Sequence, residues 1–180
     1  MDGVEVPVGS VAIFDDEQYN MGALMAEKMA IEGHVVTYVT SGSKVGQWGS
    51  FTSEQDQTQA RLINLGVNII VSKFASAWDG KTLTLDCIYT GQQQTLEAGS
   101  YIAVTSREPN ETLYRDLKDS PDALHAAGVT QLQRIGDCEA PSIIAAAVYA
   151  GHKIGRTIDT PESDEVPYKR DRVIYGTVAD

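Results

Sequence analysis

Apolar and polar positions near the N-terminus follow a strand–helix–strand pattern. An apolar run at 10–16 is typical of a buried strand, and Met and Leu side chains recur at helical spacing over 21–32. Gly33 is a natural helix end, and the β-branched stretch at 34–41 predicts a second strand. These elements form a βαβ unit, which implies parallel strands and a right-handed crossover.

After this unit the pattern predicts one more helix and then mainly strands. Thr52 or Ser53 is expected to cap a helix that runs to about Leu65, where Gly66 ends it. Further strands are expected at 67–78, 81–90 and 101–105. The predicted fold class is α/β, with a Rossmann-like three-layer domain of the nucleotide-binding type found in two-domain disulfide and pyridine-nucleotide reductases.

The later part of the chain is more polar and contains one clear helix near its end. The elements expected before that helix are a polar helix at 111–117, a turn at 119–122 and a short strand at 129–138. The clear helix lies at 140–158, with Pro141 in its first turn and an apolar stripe along one face. Residues 159–180 are expected to form an extended polar tail.

The charge balance limits the classes of partner. The chain has 14 basic and 25 acidic residues, which gives a net charge of −11. Nucleic acid and anionic membranes are bound by clustered Lys and Arg, so we expect neither as a partner. No apolar run approaches the ~20 residues of a membrane helix, and no basic segment followed by an apolar one opens the chain. A cytoplasmic protein is therefore expected.

Cysteine and histidine are too few and too scattered to indicate a metal centre. Cys87 and Cys138 lie far apart, and the three histidines show no paired spacing. A structural zinc site or an iron–sulfur cluster needs about four ligands, so this chain is expected to hold no metal by itself. Both cysteines are expected to be buried thiols in a reducing compartment.

The turn after the first strand lies where a dinucleotide-binding fold has its glycine-rich phosphate loop. Here the sequence has Asp15 and Asp16, and only Gly22 remains, where a glycine lets the helix pack closely on the strand. Two carboxylates would repel a bound pyrophosphate by on the order of a few kcal/mol. We expect a degenerate loop in which either aspartate caps the helix; a changed ligand and ordinary nucleotide binding are the alternatives.

The end of the second strand has a weak signal for NADP. Ser41, Ser43 and Lys44 offer hydroxyl groups and a positive charge that would suit a 2′-phosphate. Short Ser/Gly/Lys loops are also common on solvated surfaces, so an ordinary loop is the alternative.

Four segments together resemble one known family. They are "VAIFDDEQYNMGALMAEKMAIEGHVVTYVT", "RLINLGVNII", "SREPN" and "RIGDCEAPSIIAAAVYAGHKIGRTI". They are similar to the C-terminal region of the trimethylamine, dimethylamine and histamine dehydrogenase family, which is related more distantly to 2,4-dienoyl-CoA reductase and is of the NADH:flavin oxidoreductase type. The resemblance covers roughly residues 9–158.

This resemblance implies a domain plan. A full-length member has a TIM barrel with FMN, then a 4Fe–4S site, then two domains like the FAD and NAD(P) domains of glutathione reductase. Residues 1–127 resemble the NAD(P)-type domain, and 128–158 resemble the strand and helix that complete the FAD-type domain, which is otherwise missing here. Gly136 and Asp137 fit the late flavoprotein motif that faces the cofactor; the alternative is that Asp137 caps the helix at 140.

The function implied by the resemblance is a domain or subunit of an iron–sulfur flavoprotein oxidoreductase, with a structural or assembly role and no catalytic centre of its own. No cofactor is expected on this chain alone. FMN and 4Fe–4S are expected on the missing N-terminal part, and ADP or FAD is possible if the FAD-like domain is completed. The expected partner is the barrel, on the same protein or on a separate subunit, or a second copy of this chain. The alternative is a free-standing module that binds ADP, FAD or NADPH.

Overall fold

The computed structural model describes residues 9–158 of the chain. Contacts divide the chain into two compact units, the first ending at Ser106 and the second beginning at Arg107. This division falls earlier than residue 127, where the resemblance implies a boundary, and the assignment of the two parts to nucleotide-domain types stays a prediction. The tail predicted at 159–180 lies outside the described residues.

The first unit contains two sheets. In chain order its strands are β1 (Ser10–Asp15), β2 (Val35–Thr40), β3 (Asn68–Ile70), β4 (Lys73–Trp78), β5 (Thr82–Cys87), β6 (Gln93–Glu97) and β7 (Ser100–Val104). Four form a parallel sheet in the order β3–β2–β1–β7, and three form an antiparallel sheet in the order β4–β5–β6. The parallel pairing predicted for the βαβ unit is confirmed, since Ile13 of β1 lies opposite Tyr38 of β2.

Buried side chains lie on both faces of the parallel sheet. The helices of this unit are α1 (Met21–Ile31) and α2 (Gln55–Asn64). Successive residues of a strand point to opposite faces. Accordingly, Ile13 shares a buried cluster with Leu62 of α2, while Phe14 shares one with Leu85 of β5. Helices therefore pack on one face of the parallel sheet and the antiparallel sheet packs on the other, which confirms the α/β class.

Some boundaries in the first unit differ from those predicted. The strand expected at 67–78 is two strands, because the chain turns at Ser72, whose φ of 56° is left-handed. Neither Thr52 nor Ser53 caps α2: its cap position is Glu54, and the Thr52 hydroxyl donates to the Glu54 carboxylate at 2.6 Å. Strand β6 was not predicted because nearly all of its residues are exposed and polar, so it lacks an apolar alternation.

The second unit is helical. Its helices are α3 (Thr112–Lys118), α4 (Pro121–Ala126) and α5 (Ile144–Thr157). The turn predicted at 119–122 leads directly into α4, with Pro121 at the start of the helix, where a proline costs no hydrogen bond. The strand predicted at 129–138 is wrong: within 107–158 there is no other strand to pair with it, and the segment ends in a 3₁₀ turn at Gly136–Cys138.

Helix α5 begins later than its sequence predicts. Pro141 lies before the helix and not in its first turn, because Ile143 has an extended backbone with ψ 157° and α5 begins at Ile144. The predicted apolar stripe is present in the sequence of the helix, yet no residue of α5 is buried among the residues described. Between residues 9 and 158, no helix is long and apolar enough to cross a membrane.

Candidate functional site

Two segments meet at the carboxyl ends of β1 and β2, and we call the place between them the crevice. One is the turn 15–20 between β1 and α1, and the other is the loop 41–49 after β2. The two strands end together, because Asp15 lies opposite Thr40 in the parallel register. In open α/β sheets, ligands bind outside the carboxyl ends of the strands, so the crevice is where a nucleotide site is expected.

The carboxylate of Asp15 is fully buried at the base of the crevice. It accepts a hydrogen bond from the Tyr38 hydroxyl and a second from the Gln18 backbone N–H, which lies 2.9 Å from Oδ1. Burial raises the pKa of Asp15 above its ordinary value of 3.8, and the two hydrogen bonds oppose that rise. Burial also raises the pKa of the Tyr38 phenol. Asp15 therefore holds β1, β2 and the turn together.

Gly22 is required by the position of that carboxylate. A Cβ atom built on Gly22 would lie 2.5 Å from Cγ of Asp15, which is closer than any real contact. The glycine that lets helix and strand approach is thus present as predicted, and here the carboxylate fills the space beside it. Asp15 is not a cap of α1, however, because the cap position is Asn20 and no side chain accepts a bond from the helix end.

Asp16 is exposed and acts across the crevice. Its Oδ1 accepts a hydrogen bond from the Ser41 hydroxyl at 3.0 Å, and its backbone N–H donates to the Val104 carbonyl at 2.9 Å. Asp16 therefore does not cap α1 either, and the prediction that an aspartate caps this helix is wrong for both residues. The carboxylates instead accept hydrogen bonds from the turn and from the neighbouring strand, which the sequence pattern alone did not indicate.

The three residues expected to receive a 2′-phosphate have different hydrogen-bond partners in the structure. Ser41 is bound into the crevice, since its hydroxyl donates to Asp16 and accepts from the Gln18 amide at 2.8 Å. Ser43 donates within its own loop, from its backbone N–H and its hydroxyl to the Gln47 side chain. Lys44 is half-buried on the same loop, and between residues 9 and 158 it forms no ion pair. The structure brings Ser41 and Asp16 together and leaves Lys44 outside their hydrogen bonds.

The loop 41–49 is anchored from below by buried polar groups. The Gly46 N–H donates to the Tyr38 hydroxyl at 3.3 Å, and the Gln55 side chain donates to the Val45 carbonyl at 3.1 Å. Gly46 has a φ of 52°, and a Cβ there would lie 2.9 Å from the Tyr19 carbonyl oxygen. The loop is thus held to both β2 and α2.

The sequence did not indicate Tyr38 and Gln18 as site residues. A tyrosine in a largely buried strand of Val and Thr residues needs a partner for its hydroxyl, so Tyr38 is a signal that is readable in hindsight. Gln18 has a left-handed backbone with φ 58°, a conformation that nothing in the sequence indicates at a glutamine. Both residues matter here because they make the contacts that close the crevice.

Gly136 and Asp137 lie in the second unit, where they begin a 3₁₀ turn. Gly136 has a φ of 62°, which favours glycine. Asp137 Oδ1 accepts only a long hydrogen bond, 3.5 Å from the Ser142 backbone N–H, and no side chain caps α5. The alternative that Asp137 caps the following helix is therefore wrong, because that helix begins further along the chain. A role in cofactor binding stays a prediction.

Neither cysteine is the fully buried thiol that the sequence suggested. Cys87 and Cys138 are free and partly exposed. A hydrogen bond from the Thr90 side chain is the main cause that lowers the pKa of Cys87 to about 7. No cluster of three or more potential metal ligands occurs among the residues that the structure describes.

The fold is an α/β domain built on a parallel sheet, and side chains of the domain itself occupy the crevice at its strand ends. Residues 3–119 match the family described as the OYE-like second alpha/beta domain. The chain is 32% identical to dimethylamine dehydrogenase from Hyphomicrobium sp. (strain x) over an alignment that covers 93% of this chain and 25% of that protein.

Solved structures of amine-oxidising enzymes are also similar to this chain. Histamine dehydrogenase from Rhizobium sp. 4-9 matches 90% of this chain and 25% of its own, with 36% identity and a TM-score of 0.84. The 6-hydroxypseudooxynicotine amine oxidase from Pseudomonas geniculata N1 matches 86% of this chain and 23% of its own, with 28% identity and a TM-score of 0.78. The chain thus spans about a quarter of the length of these relatives.

The chain belongs to the family of OYE-like second alpha/beta domains, and its relatives place it with the trimethylamine, dimethylamine and histamine dehydrogenases. The resemblance predicted from its sequence motifs is confirmed.

Proposed function

We propose that this chain is the alpha/beta domain of an iron–sulfur flavoprotein oxidoreductase of the amine dehydrogenase type, with a role in assembly and no catalytic centre of its own. Two kinds of observation support this. The relatives are named as dehydrogenases and an amine oxidase, and each is about four times as long as the region matched. The crevice in which this fold class binds nucleotides is filled by side chains of the domain itself.

The observation that carries the proposal is the buried carboxylate of Asp15 beside Gly22. A phosphate-binding turn offers free backbone N–H groups to the anion. In this turn the Gln18 N–H donates to Asp15, and the Asp16 and Glu17 N–H groups both donate to the Val104 carbonyl. Three N–H donors of the turn are therefore already used within the domain.

Negative charge at the crevice also disfavours the binding of a phosphate. Asp16, an acidic residue, lies exposed at the mouth of the crevice. A phosphate about 5 Å from an ionised carboxylate, at an effective dielectric constant of about 20, is repelled by about 3 kcal/mol, and less where solvent screens the pair. Nucleotide exclusion is therefore the expected property of the domain.

The cofactors of the proposed parent protein belong on other parts of it. FMN and the 4Fe–4S cluster are assigned to the barrel-bearing remainder, and ADP or FAD would approach Gly136 and Asp137 only if the FAD-type fold of residues 128–158 is completed. The apolar side chains of α5 support a partner, since Ile144 is 82% exposed and Tyr149 is 69% exposed. Exposed apolar surface of this kind usually marks an interface.

Fluorescence titration of the chain with NADPH tests the role of the crevice. We expect no saturable binding at micromolar NADPH. If the chain is instead a free-standing nucleotide-binding module, NADPH binds, and Lys44→Glu abolishes the binding by replacing the positive charge proposed for the 2′-phosphate. Lys81→Glu is the matched control, because Lys81 is an exposed lysine at the start of the β5–β6 hairpin and lies on a different element.

Sedimentation of the chain tests the role in assembly. We expect either self-association or a complex with a co-expressed polypeptide that has the barrel and the cluster. A monodisperse monomer that binds neither flavin nor such a polypeptide would contradict the proposal.

A further inference from the structure

Gln18 makes two hydrogen bonds across the crevice and a third at its base. Its side-chain amide donates to the Ser41 hydroxyl at 2.8 Å, and its backbone carbonyl accepts from the Trp48 N–H at 2.9 Å. Its backbone N–H donates to Asp15. One residue of the β1–α1 turn therefore binds both ends of the loop 41–49 and the buried carboxylate below it.

The backbone of Gln18 is adapted to this position. Its φ of 58° lies in the left-handed region, which a residue with a side chain rarely adopts. Such strain persists only where surrounding contacts fix it, and it is concentrated at functional sites. Here the fixing contacts are those of Gln18 with the loop.

The opposite wall of the crevice is shaped to receive the Gln18 side chain. A Cβ built on Gly42 would lie 2.8 Å from Oε1 of Gln18 and 3.1 Å from Oε1 of Gln47. Gly42 does not have a positive φ, so the need for glycine comes from the close approach of these side chains and not from its backbone.

We propose that the Gln18 side chain is an autoinhibitory contact that occupies the nucleotide path of the crevice. A dinucleotide in this fold class runs from the phosphate turn after the first strand to the ribose-binding position after the second. Gln18 begins in the first of these places and its amide ends at Ser41 in the second, 23 residues along the chain. The inference rests on the proposed function, in which the crevice is closed, and assigns the closure to one side chain.

Amide hydrogen exchange of the loop 41–49, measured by mass spectrometry on the full chain, tests this assignment. Gln18→Gly removes the side chain and tolerates the left-handed backbone, and Gln18→Asn keeps an amide that is one methylene too short to reach Ser41. We expect exchange in the loop to rise by about tenfold or more in both variants, because the loop opens more often. Ser53→Gly is the matched control, since Ser53 has a similar φ of 63° and should leave the loop unchanged.

Gly42→Ala is an independent variant that leaves Gln18 itself intact. Its methyl group would displace the Gln18 amide, so faster exchange of the loop is expected there too. Exchange within about twofold of the unsubstituted chain in both Gln18 variants would overturn the assignment. Binding of ADP by the unsubstituted chain would contradict the proposed function instead, so the two failures are distinguishable.

Discussion

The two units of the chain bury their apolar side chains to very different extents. All of the buried hydrophobic residues that the structure describes lie between Val11 and Val104, in the first unit. Among residues 107–158 the side chains of Ile144, Val148 and Tyr149 are exposed by 82%, 52% and 69%. The first unit therefore has a core of its own, whereas the second unit presents apolar surface that its own residues do not cover. Among the residues that the structure describes, a buried hydrophobic core is confined to the first unit.

The largest expected difference in stability comes from making the same substitution, isoleucine to alanine, in each of the two units. Ile13→Ala removes a side chain that is 0% exposed in the core and should lower the free energy of unfolding by about 3 kcal/mol. Ile144→Ala removes a side chain that is 82% exposed and should change it by less than about 0.5 kcal/mol. Urea unfolding followed by circular dichroism measures both. Equal losses would show that α5 is packed as well as the sheet is.

The next effect concerns the buried hydroxyl of the crevice. Tyr38→Phe leaves the Asp15 carboxylate buried with one donor fewer, so the free energy of unfolding should fall by about 1–3 kcal/mol. Tyr101→Phe is the matched control, because the Tyr101 ring packs on Trp78 and is only partly buried. A change below about 0.5 kcal/mol is expected for the control. If Tyr38→Phe costs no more than the control, the hydroxyl does not hold the crevice.

A smaller effect appears in the pH dependence of stability. Burial raises the pKa of Asp15 above 3.8, so over the pH range between the unfolded and folded values the folded chain keeps a proton that the unfolded chain has lost. The stability contributed by Asp15 is therefore full below the unfolded pKa and is lost as the pH rises through the folded pKa. The free energy of unfolding relative to Asp15→Asn should fall as the pH rises from 3.8 and then level off.

The quantity compared is the difference in the free energy of unfolding between the unsubstituted chain and Asp15→Asn, because the contributions of the other titrating groups cancel in that difference. Chemical unfolding at several pH values measures it, with Asp16→Asn as the control. A difference that rises with pH would mean that the hydrogen bonds from Tyr38 and Gln18 outweigh burial and that the pKa of Asp15 is lowered.

The smallest effect is expected at the mouth of the crevice. Asp16 is exposed, and Asn keeps an oxygen that accepts from the Ser41 hydroxyl, so Asp16→Asn should change the free energy of unfolding by less than about 0.5 kcal/mol. Thermal unfolding measures this. A loss as large as that from Tyr38→Phe would place Asp16 in the structural core of the site. Asp16 is also the better position to test charge, because removing the Asp15 side chain would leave the Tyr38 hydroxyl without its acceptor.

The sequence predicted the elements that depend on local pattern. The βαβ unit was readable because its strands are apolar, its helix is periodic and Gly33 ends that helix. The α/β class and the degenerate turn with Gly22 followed from the same pattern. The strand expected at 129–138 failed because a strand needs a partner, and within 107–158 no other strand supplies one.

The hydrogen bonds across the crevice could not be predicted from the sequence because they join residues that are far apart along the chain. The partner of Asp15 is Tyr38 on the neighbouring strand, 23 residues away and two positions before the residue that the parallel register places opposite Asp15. The sequence predicted that an aspartate caps α1, which is a local interaction. In the structure these carboxylates accept hydrogen bonds from Tyr38 and Ser41 instead. Gln18 has no sequence signal, since its role depends on a left-handed backbone and on the space left by Gly42.

Calorimetric titration of the full chain with ADP is the most direct test of the central claim that the crevice is closed to nucleotides. ADP is the part that FAD and NAD share, so one ligand tests the sites for both. The account predicts no binding heat at micromolar to submillimolar ADP. A one-to-one complex of micromolar affinity would contradict it.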